Sequence, residues 1–296
     1  MMGTLQRTLK NIKLSTPVRF DVPLDQYSTF RVGGPADAVF SPRSTMELQE
    51  TVRRINEIPA PITILGGGAN IVVSDRGIRG AVVYTGNLAR IERSGQTIRS
   101  GAGAAMSDVS AFAADNGLSG LEFIYAMPGS VGGAVWMNAR CYGGEISEVL
   151  RSVSYVDLDG NAGTYTVEPN DFSYKVSPFQ DGSRVIVEAE FLLASAPRMG
   201  ESLWERMRTI ENDRRAKGHF DAPCAGSVFK NDRAYGEPSG RIIDRCGLRG
   251  LRRGGAMVSE KHGNIIVNTG DASAQAIFDL VTEVRDRVYR ETGFQL

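Results

Sequence analysis

The clearest periodicity lies near the end of the chain. There Ile277, Leu280, Val281, Val284 and Val288 recur at i, i+3, i+4, i+7 and i+11. This spacing lays one apolar stripe along a helix, with Asp271 or Ser273 as its N-cap and Gly293 as its stop. A second helix is predicted after Ser44, which has capping-box spacing with Glu47. Its apolar face reads Met46, Leu48, Val52 and Ile55, and it ends near Pro59. Leu203, Met207 and Ile210 mark a third helix face ending in Arg214 and Arg215, and a helix of about ten residues stops at Asn116-Gly117. Elsewhere the apolar runs are short. PITIL, AVVYTG and TIRSG read as strands, and SVSYVDLDGNAGTYTV carries an Asp159-Gly160 hairpin turn. RVIVEAEFLLAS reads as another strand. Residues 1 to about 20 lack periodicity and read as a lead-in, and Pro197–Glu201 reads as a linker. Many short strands with few helices predict an α+β chain.

Composition narrows the function classes. The 296 residues suffice for two or three domains, and Lys+Arg and Asp+Glu both total 34, so nucleic acid is not the expected partner. No apolar run approaches the roughly 20 residues of a membrane span, and the basic N-terminus has no apolar segment of a secretory signal. Cys141, Cys224 and Cys246 are odd in number and widely spaced, which argues against a disulfide framework or a zinc site and favours a reducing cytoplasm. Two histidines, His219 and His262, make a histidine-rich metal site improbable.

Glycine brings in the chemistry. Tyr125–Asn138 reads YAMPGSVGGAVWMN, in which Pro128 fixes φ and Gly129 can take positive φ. Gly132 and Gly133 carry no Cβ, so a flat or phosphorylated ligand could approach the main chain, whose N–H groups cradle anionic oxygens. Gly66–Asn70 (GGGAN) follows the PITIL strand and is a second loop shaped for phosphate; Gly101–Gly103 is a third. GGGAN is not a dinucleotide fingerprint. That motif needs spaced glycines opening a long helix, whereas IVVSDRGIRG follows here.

TFRVGGPA, GGGAN, IYAMPGSVGGAVWMNARCYGGE, FSYKVSPF, AGSVFKN and GGAMVSEKHGNIIVN occur in one order along nearly the whole chain. In these motifs the chain resembles the UDP-N-acetylenolpyruvoylglucosamine reductases, the MurB flavoenzymes, and the YGGE run resembles their compact second type. The resemblance implies a three-domain α+β flavoprotein with an FAD-binding region of the vanillyl-alcohol-oxidase (PCMH) type. It implies domains at 1–78 and 79–200 for FAD and 201–296 for substrate. It also implies non-covalent FAD, NADPH as reductant, and UDP-N-acetylglucosamine enolpyruvate as the substrate reduced to UDP-N-acetylmuramate for peptidoglycan. A cytoplasmic monomer is expected.

Carried over by motif, FAD would lie along Arg31, Val32 and Gly33, along Gly66, Gly67, Gly68, Ala69 and Asn70, at Gly101 and Gly103, and along Pro128, Gly129, Ser130, Gly132, Gly133 and Ala134. Ser227 of GSVFKN takes the place of the family's proton donor, and a serine hydroxyl needs a neighbouring cation or water relay to act as an acid. Where the family usually has Tyr-Arg, this chain has Tyr174-Lys175. A lysine is a point charge rather than a bidentate fork, so either Lys175 or Arg140 takes the arginine's role. Tyr174, Lys217, Lys230 and Asn231 match substrate-binding positions, with Arg214, Arg215 and His262 as weaker candidates. The family's catalytic glutamate follows the last helix. It is expected three residues past Leu296, with Glu260 as the alternative carboxylate. Cys141 is expected to be a half-buried thiol, and Met127, Trp136 and Met137 to be core. Two other readings stay open at this stage: another FAD oxidoreductase on the same scaffold, or a non-catalytic UDP-sugar or flavin binder.

Overall fold

The computed structural model describes residues 4–168, 170–196 and 202–296, so the linker predicted at Pro197–Glu201 lies outside the described residues. The chain forms two compact units. The first takes residues 1–22, 36–67 and 79–211, and the second 23–35, 68–78 and 212–296.

The first unit opens with α1 (Thr4–Lys10), β1 (Val18–Pro23), β2 (Pro35–Phe40), α2 (Thr45–Asn56), β3 (Ile62–Leu65) and β4 (Ile78–Tyr84). It continues through β5 (Ile91–Ser94), β6 (Thr97–Gly101), α3 (Met106–Asp115), β7 (Leu118–Ser119), α4 (Val131–Trp136), β8 (Arg140–Cys141) and β9 (Gly144–Glu145). Then come β10 (Leu150–Asp157), β11 (Ala162–Thr166), β12 (Arg184–Leu192), β13 (Ala194–Ser195) and α5 (Leu203–Ala216), of which residues 203–211 belong to this unit. One sheet has the order β1-β2-β4-β3, with β3 and β4 parallel. The other is antiparallel, in the order β11-β10-β12-β6-β5.

Helix α2 shows how the pattern becomes packing. Leu48, Val52 and Ile55 are fully buried against Ala38, Phe40, Ala81 and Val83 of the first sheet and Val156, Val185 and Val187 of the second. Each such side chain contributes roughly 1.5–3 kcal/mol of burial. Met46, expected on that face, is 77% exposed: two residues before Leu48, it points to the opposite side of the helix. The capping box is half made. Ser44 Oγ accepts from Glu47 N, but the Glu47 carboxylate accepts from Arg43 N rather than from Ser44. The lead-in is also more ordered than its sequence suggests. Leu9 of α1 packs into the same core, and Thr16 shares a buried 2.7 Å hydroxyl pair with Thr51 of α2.

The second unit holds β14 (Cys224–Ser227), α6 (Ser239–Arg245), β15 (Arg252–Arg253), β16 (Ala256–Val258), β17 (Ile265–Asn268) and α7 (Ala274–Thr292). Its sheet is antiparallel, in the order β14-β17-β16-β15. The α7 stripe of Ile277, Leu280, Val284 and Val288 is buried in one cluster with Phe30, Val32, Ile242 and Ile266. Ser273 caps α7 as predicted, and Gly293 ends it at φ 75°. A second cap comes from far away in sequence. Asp75 accepts from Ala274 N at 2.7 Å and Gln275 N at 2.9 Å, placing a carboxylate at the positive end of the helix dipole.

Candidate functional site

In the first unit the glycine motifs meet at Ser130. Its hydroxyl caps α4, accepting from Gly133 N at 3.4 Å, and it also accepts from Gly67 N at 3.1 Å. Ser130 is buried, so this one oxygen ties Gly67, in the loop after β3, to the start of α4. The closeness explains Gly66: a Cβ there would lie 2.3 Å from Ser130 Oγ. Gly132 is likewise required by the protein's own packing. Its Cβ would meet Ala102, and its N–H donates to Ala102 O. That corrects the expectation of an open N–H there, since the tight turn runs directly into a helix. What stays open is the corner before the helix. Among the described residues, the N–H groups of Gly129 and Ser130 donate to no protein acceptor, and Gly129 has φ 128°. A Cβ at Gly133 would meet nothing closer than 3.6 Å, which leaves that face open.

The far end of α4 carries the second predicted cluster. Tyr174 and Lys175 form the tip of a turn closed by reciprocal bonds between Ser173 and Val176, with Lys175 at φ 61°. Ser177 Oγ and Gln180 Nε2 both donate to Trp136 O at 2.8 Å, and Gln180 Nε2 also donates to Lys175 O. Fully buried Asn138 donates to Ser173 O and accepts from Ser147 N. The turn is therefore docked on the C-terminal end of α4. Behind it the Arg184 guanidinium lies over the Tyr155, Tyr165 and Phe179 rings. Burial and the bond to Asp171 push the Tyr165 phenol up to about 12. Tyr174 is 39% exposed, and Lys175 Nζ lies 5.9 Å from its ring. Arg140 faces Glu145 at 3.8 Å across the β8–β9 hairpin. Trp136, expected in the core, is 43% exposed, because the helix buries Val131, Ala134 and Val135 instead. Cys141 is half-buried and donates to Phe123 O.

In the second unit Gly68 sits at φ 60° with Tyr27 O where a Cβ would be, and its own carbonyl accepts from Thr29 N. Only glycine fits. Among the described residues, the N–H groups of Gly68, Ala69 and Asn70 donate to no protein acceptor, an arrangement suited to anionic oxygens. Arg31 is exposed at φ 55°, Val32 is core, and a Cβ at Gly33 would meet Val73.

Ser227 is exposed at the end of β14 and pairs with Ile265 of β17. The strand forms because Cys224 and Ser227 pair with β17, and the loop that carries Lys230 follows it. Buried Asn264 holds that loop, accepting from Phe229 N at 2.8 Å and donating to Phe229 O at 2.9 Å. Buried Ser239 donates twice, from Oγ to Lys230 O and from its backbone N–H to Asn231 Oδ1. Lys230 and Asn231 are exposed on this loop. Lys217 is exposed and pairs with Asp213 at 2.6 Å. His262 Nδ1 accepts from Asn264 N, so the neutral ring carries its proton on Nε2. His219 lies 5.9 Å from His262, and its pKa falls to about 4 through burial first and the Arg214 charge second. Glu260 is exposed. Sequence reasoning missed Asn138, Asn264 and Ser239. Their only local signal is a polar residue inside an apolar or glycine-rich run.

Residues 36–164 match the model described as an FAD binding domain, which makes the chain an FAD-binding protein of the PCMH type, and loops with unanswered backbone N–H groups fit such a cofactor's phosphates. Residues 218–296 match the model of the UDP-N-acetylenolpyruvoylglucosamine reductase C-terminal domain. The chain belongs to the UDP-N-acetylenolpyruvoylglucosamine reductase family. It is 40% identical to the Treponema denticola member, with 94% of this chain and 91% of that protein covered. It is 38% identical to the one from Borreliella burgdorferi, at 100% and 97% coverage. The crystal structure of MurB from Thermus caldophilus superposes with a TM-score of 0.79 at 34% identity, covering 93% of this chain and 96% of that one. 6-Hydroxy-D-nicotine oxidase from Arthrobacter nicotinovorans shares the fold alone, with a TM-score of 0.50 at 19% identity over 63% of this chain and 44% of that one. Among the described residues no helix is long and apolar enough to cross a membrane.

Proposed function

We propose that the chain is a reductase that uses NADPH and FAD to convert UDP-N-acetylglucosamine enolpyruvate to UDP-N-acetylmuramate. The observation that carries the reading is the run of unanswered N–H groups at Gly68, Ala69 and Asn70, in the loop where the family resemblance puts the FAD pyrophosphate. The family resemblance assigns Arg31 to Gly33, Gly66, Gly67, Gly101 and Gly103 to FAD as well, and Gly129, Ser130 and Gly133 to its ring. FAD, when bound, supplies hydride transfer from NADPH to the enolpyruvyl double bond.

The chain's own groups do the rest. Ser227 Oγ delivers a proton to the α-carbon, and Lys175 offsets the enolate-like charge on the carboxylate. Lys175 is preferred to Arg140 for this, because it directly follows Tyr174, where the family usually has Tyr-Arg. Lys217, Lys230 and Asn231 bind the uridine diphosphate, with Tyr174 at the reacting end. The functional division is into residues 1–78 and 79–200 for FAD and 201–296 for substrate, in a cytoplasmic monomer.

Purified protein is expected to be yellow and to consume NADPH only when the enolpyruvyl nucleotide is present. A protein that takes up no FAD, or that oxidises NADPH at the same rate without the nucleotide, overturns the proposal.

A further inference from the structure

We propose that Asn264 is a positioning residue for the proton-donating loop, fixing Ser227 through the backbone of Phe229; this rests on the reading of Ser227 as the proton donor. Ser227 is exposed, and among the described residues its side chain makes no hydrogen bond that would hold it. Its direction is therefore set by the main chain that follows it. That chain is gripped three times by one residue. Asn264 Oδ1 accepts from Phe229 N at 2.8 Å, Asn264 Nδ2 donates to Phe229 O at 2.9 Å, and Asn264 O accepts from Val228 N at 2.9 Å.

The side-chain amide thus acts as a short piece of β-ladder where the β14–β17 pairing has just ended at Ser227 and Ile265. Burial gives the clamp its strength: Asn264 is 4% exposed, so neither arm exchanges freely with water. Asn264 N donates to His262 Nδ1, so the residue that holds the loop also sets the tautomer of the adjoining histidine. Further along, Ser239 Oγ donates to Lys230 O at 2.6 Å and holds the same loop near the residues proposed for the diphosphate. Only an amide side chain offers a donor and an acceptor in one plane at this spacing.

Asn264→Asp tests this because it keeps the shape and removes the donor, setting a carboxylate oxygen against Phe229 O. In the holoenzyme, flavin reduction by NADPH should keep its rate, while reoxidation by the enolpyruvyl nucleotide should slow by roughly tenfold to a hundredfold. The defect should narrow as pH falls, because the protonated carboxyl regains a donor. Hydrogen exchange at Val228 and Phe229 should quicken in the same variant, with or without substrate. Combined with Ser227→Ala, the change should add nothing, because both act through one hydroxyl. Asn264→Ala gives the same exchange and reoxidation readouts without pH rescue. Wild-type reoxidation in Asn264→Asp alongside a crippled Ser227→Ala overturns the clamp and leaves Ser227 as donor. Wild-type reoxidation in Ser227→Ala overturns the donor reading itself, and the positioning role falls with it. An additive double variant would mean that Asn264 serves stability alone.

Discussion

The contact between Gly66 and Ser130 allows a test in which two damaging substitutions should largely cancel. An alanine at position 66 places Cβ 2.3 Å from Ser130 Oγ, more than 1 Å inside ordinary contact. Its cheapest escape is rotation of Ser130, which forfeits the bonds from Gly67 N and Gly133 N. Ser130→Ala deletes the same two bonds. Loss of a helix cap costs about 1 kcal/mol and loss of a second hydrogen bond about another, so each single variant should lose roughly 2 kcal/mol. In the double variant the new methyl group meets only Cβ of residue 130, at 3.6 Å, and Thr85 Oγ1, at 3.9 Å, both ordinary contacts. The double should then cost no more than about 2 kcal/mol, giving a coupling near 2 kcal/mol. The assay is a double-mutant cycle on the FAD dissociation constant and the thermal midpoint. Each single variant should bind FAD up to about thirtyfold more weakly, and the double no more weakly than Ser130→Ala. Independent losses summing to roughly 4 kcal/mol, or a neutral Gly66→Ala, would refute the reasoning.

Three further outcomes follow from the same contacts. Asp75→Ala removes two charge-assisted bonds at the start of α7 and should cost about 1–2 kcal/mol in urea unfolding, with the difference shrinking at high salt; equal stability at low salt would contradict the cap. Asn138→Ala frees the Tyr174–Lys175 turn and should lower kcat more than FAD occupancy, whereas an unchanged kcat would show that the turn needs no such tether. His219, neutral in the folded state with its pKa at about 4, favours the unfolded chain as pH falls through the usual histidine range near 6.5. The penalty is complete below about pH 4 and amounts to roughly 1–2 kcal/mol after discounting for solvent screening, so His219→Gln should flatten the stability slope between pH 6.5 and 5; an unaltered slope would contradict it.

Elements whose signal comes from one long apolar face were legible in the sequence. α7 and α2 bury the residues their spacing marked, Met46 and the half-buried Val281 apart, and β11 and the second half of β12 carry the alternation that a half-buried sheet imposes, which register shifts interrupt in β10. The short helices were not legible. α4 has two glycines in six residues, so local propensity opposes it, and the Ser130 cap with bonds to Ala102 and Ala104 makes it form. α1 spans only seven residues, too few to establish a period. The motifs located the glycine loops, but a glycine needed for ligand approach and one needed for self-packing look alike in sequence. Gly66 and Gly132 are required by Ser130 and Ala102, while the open N–H groups fall at Gly68 to Asn70 and at Gly129 and Ser130.

The division of labour between exposed and buried polar residues explains why the reacting groups were easier to name than what holds them. Ser227, Lys230 and Tyr174, the groups proposed to meet substrate, are exposed and lie in motifs, as a group with that task cannot be sealed in the core. An exposed side chain on a loop has little to fix its direction, so precision has to come from the backbone beneath it. In each unit the backbone is fixed by a buried amide: Asn138 under the Tyr174–Lys175 turn and Asn264 under the Ser227 loop. Both partners lie 35 residues away along the chain, so no local pattern could expose them. A buried amide bonded to main chain cannot be exchanged for an apolar residue without leaving the opposite N–H or C=O unsatisfied, at roughly 1–3 kcal/mol. That cost makes both clamps rigid, and in the proposal made above it is the rigidity of the Asn264 clamp that gives the otherwise unsupported Ser227 hydroxyl one direction.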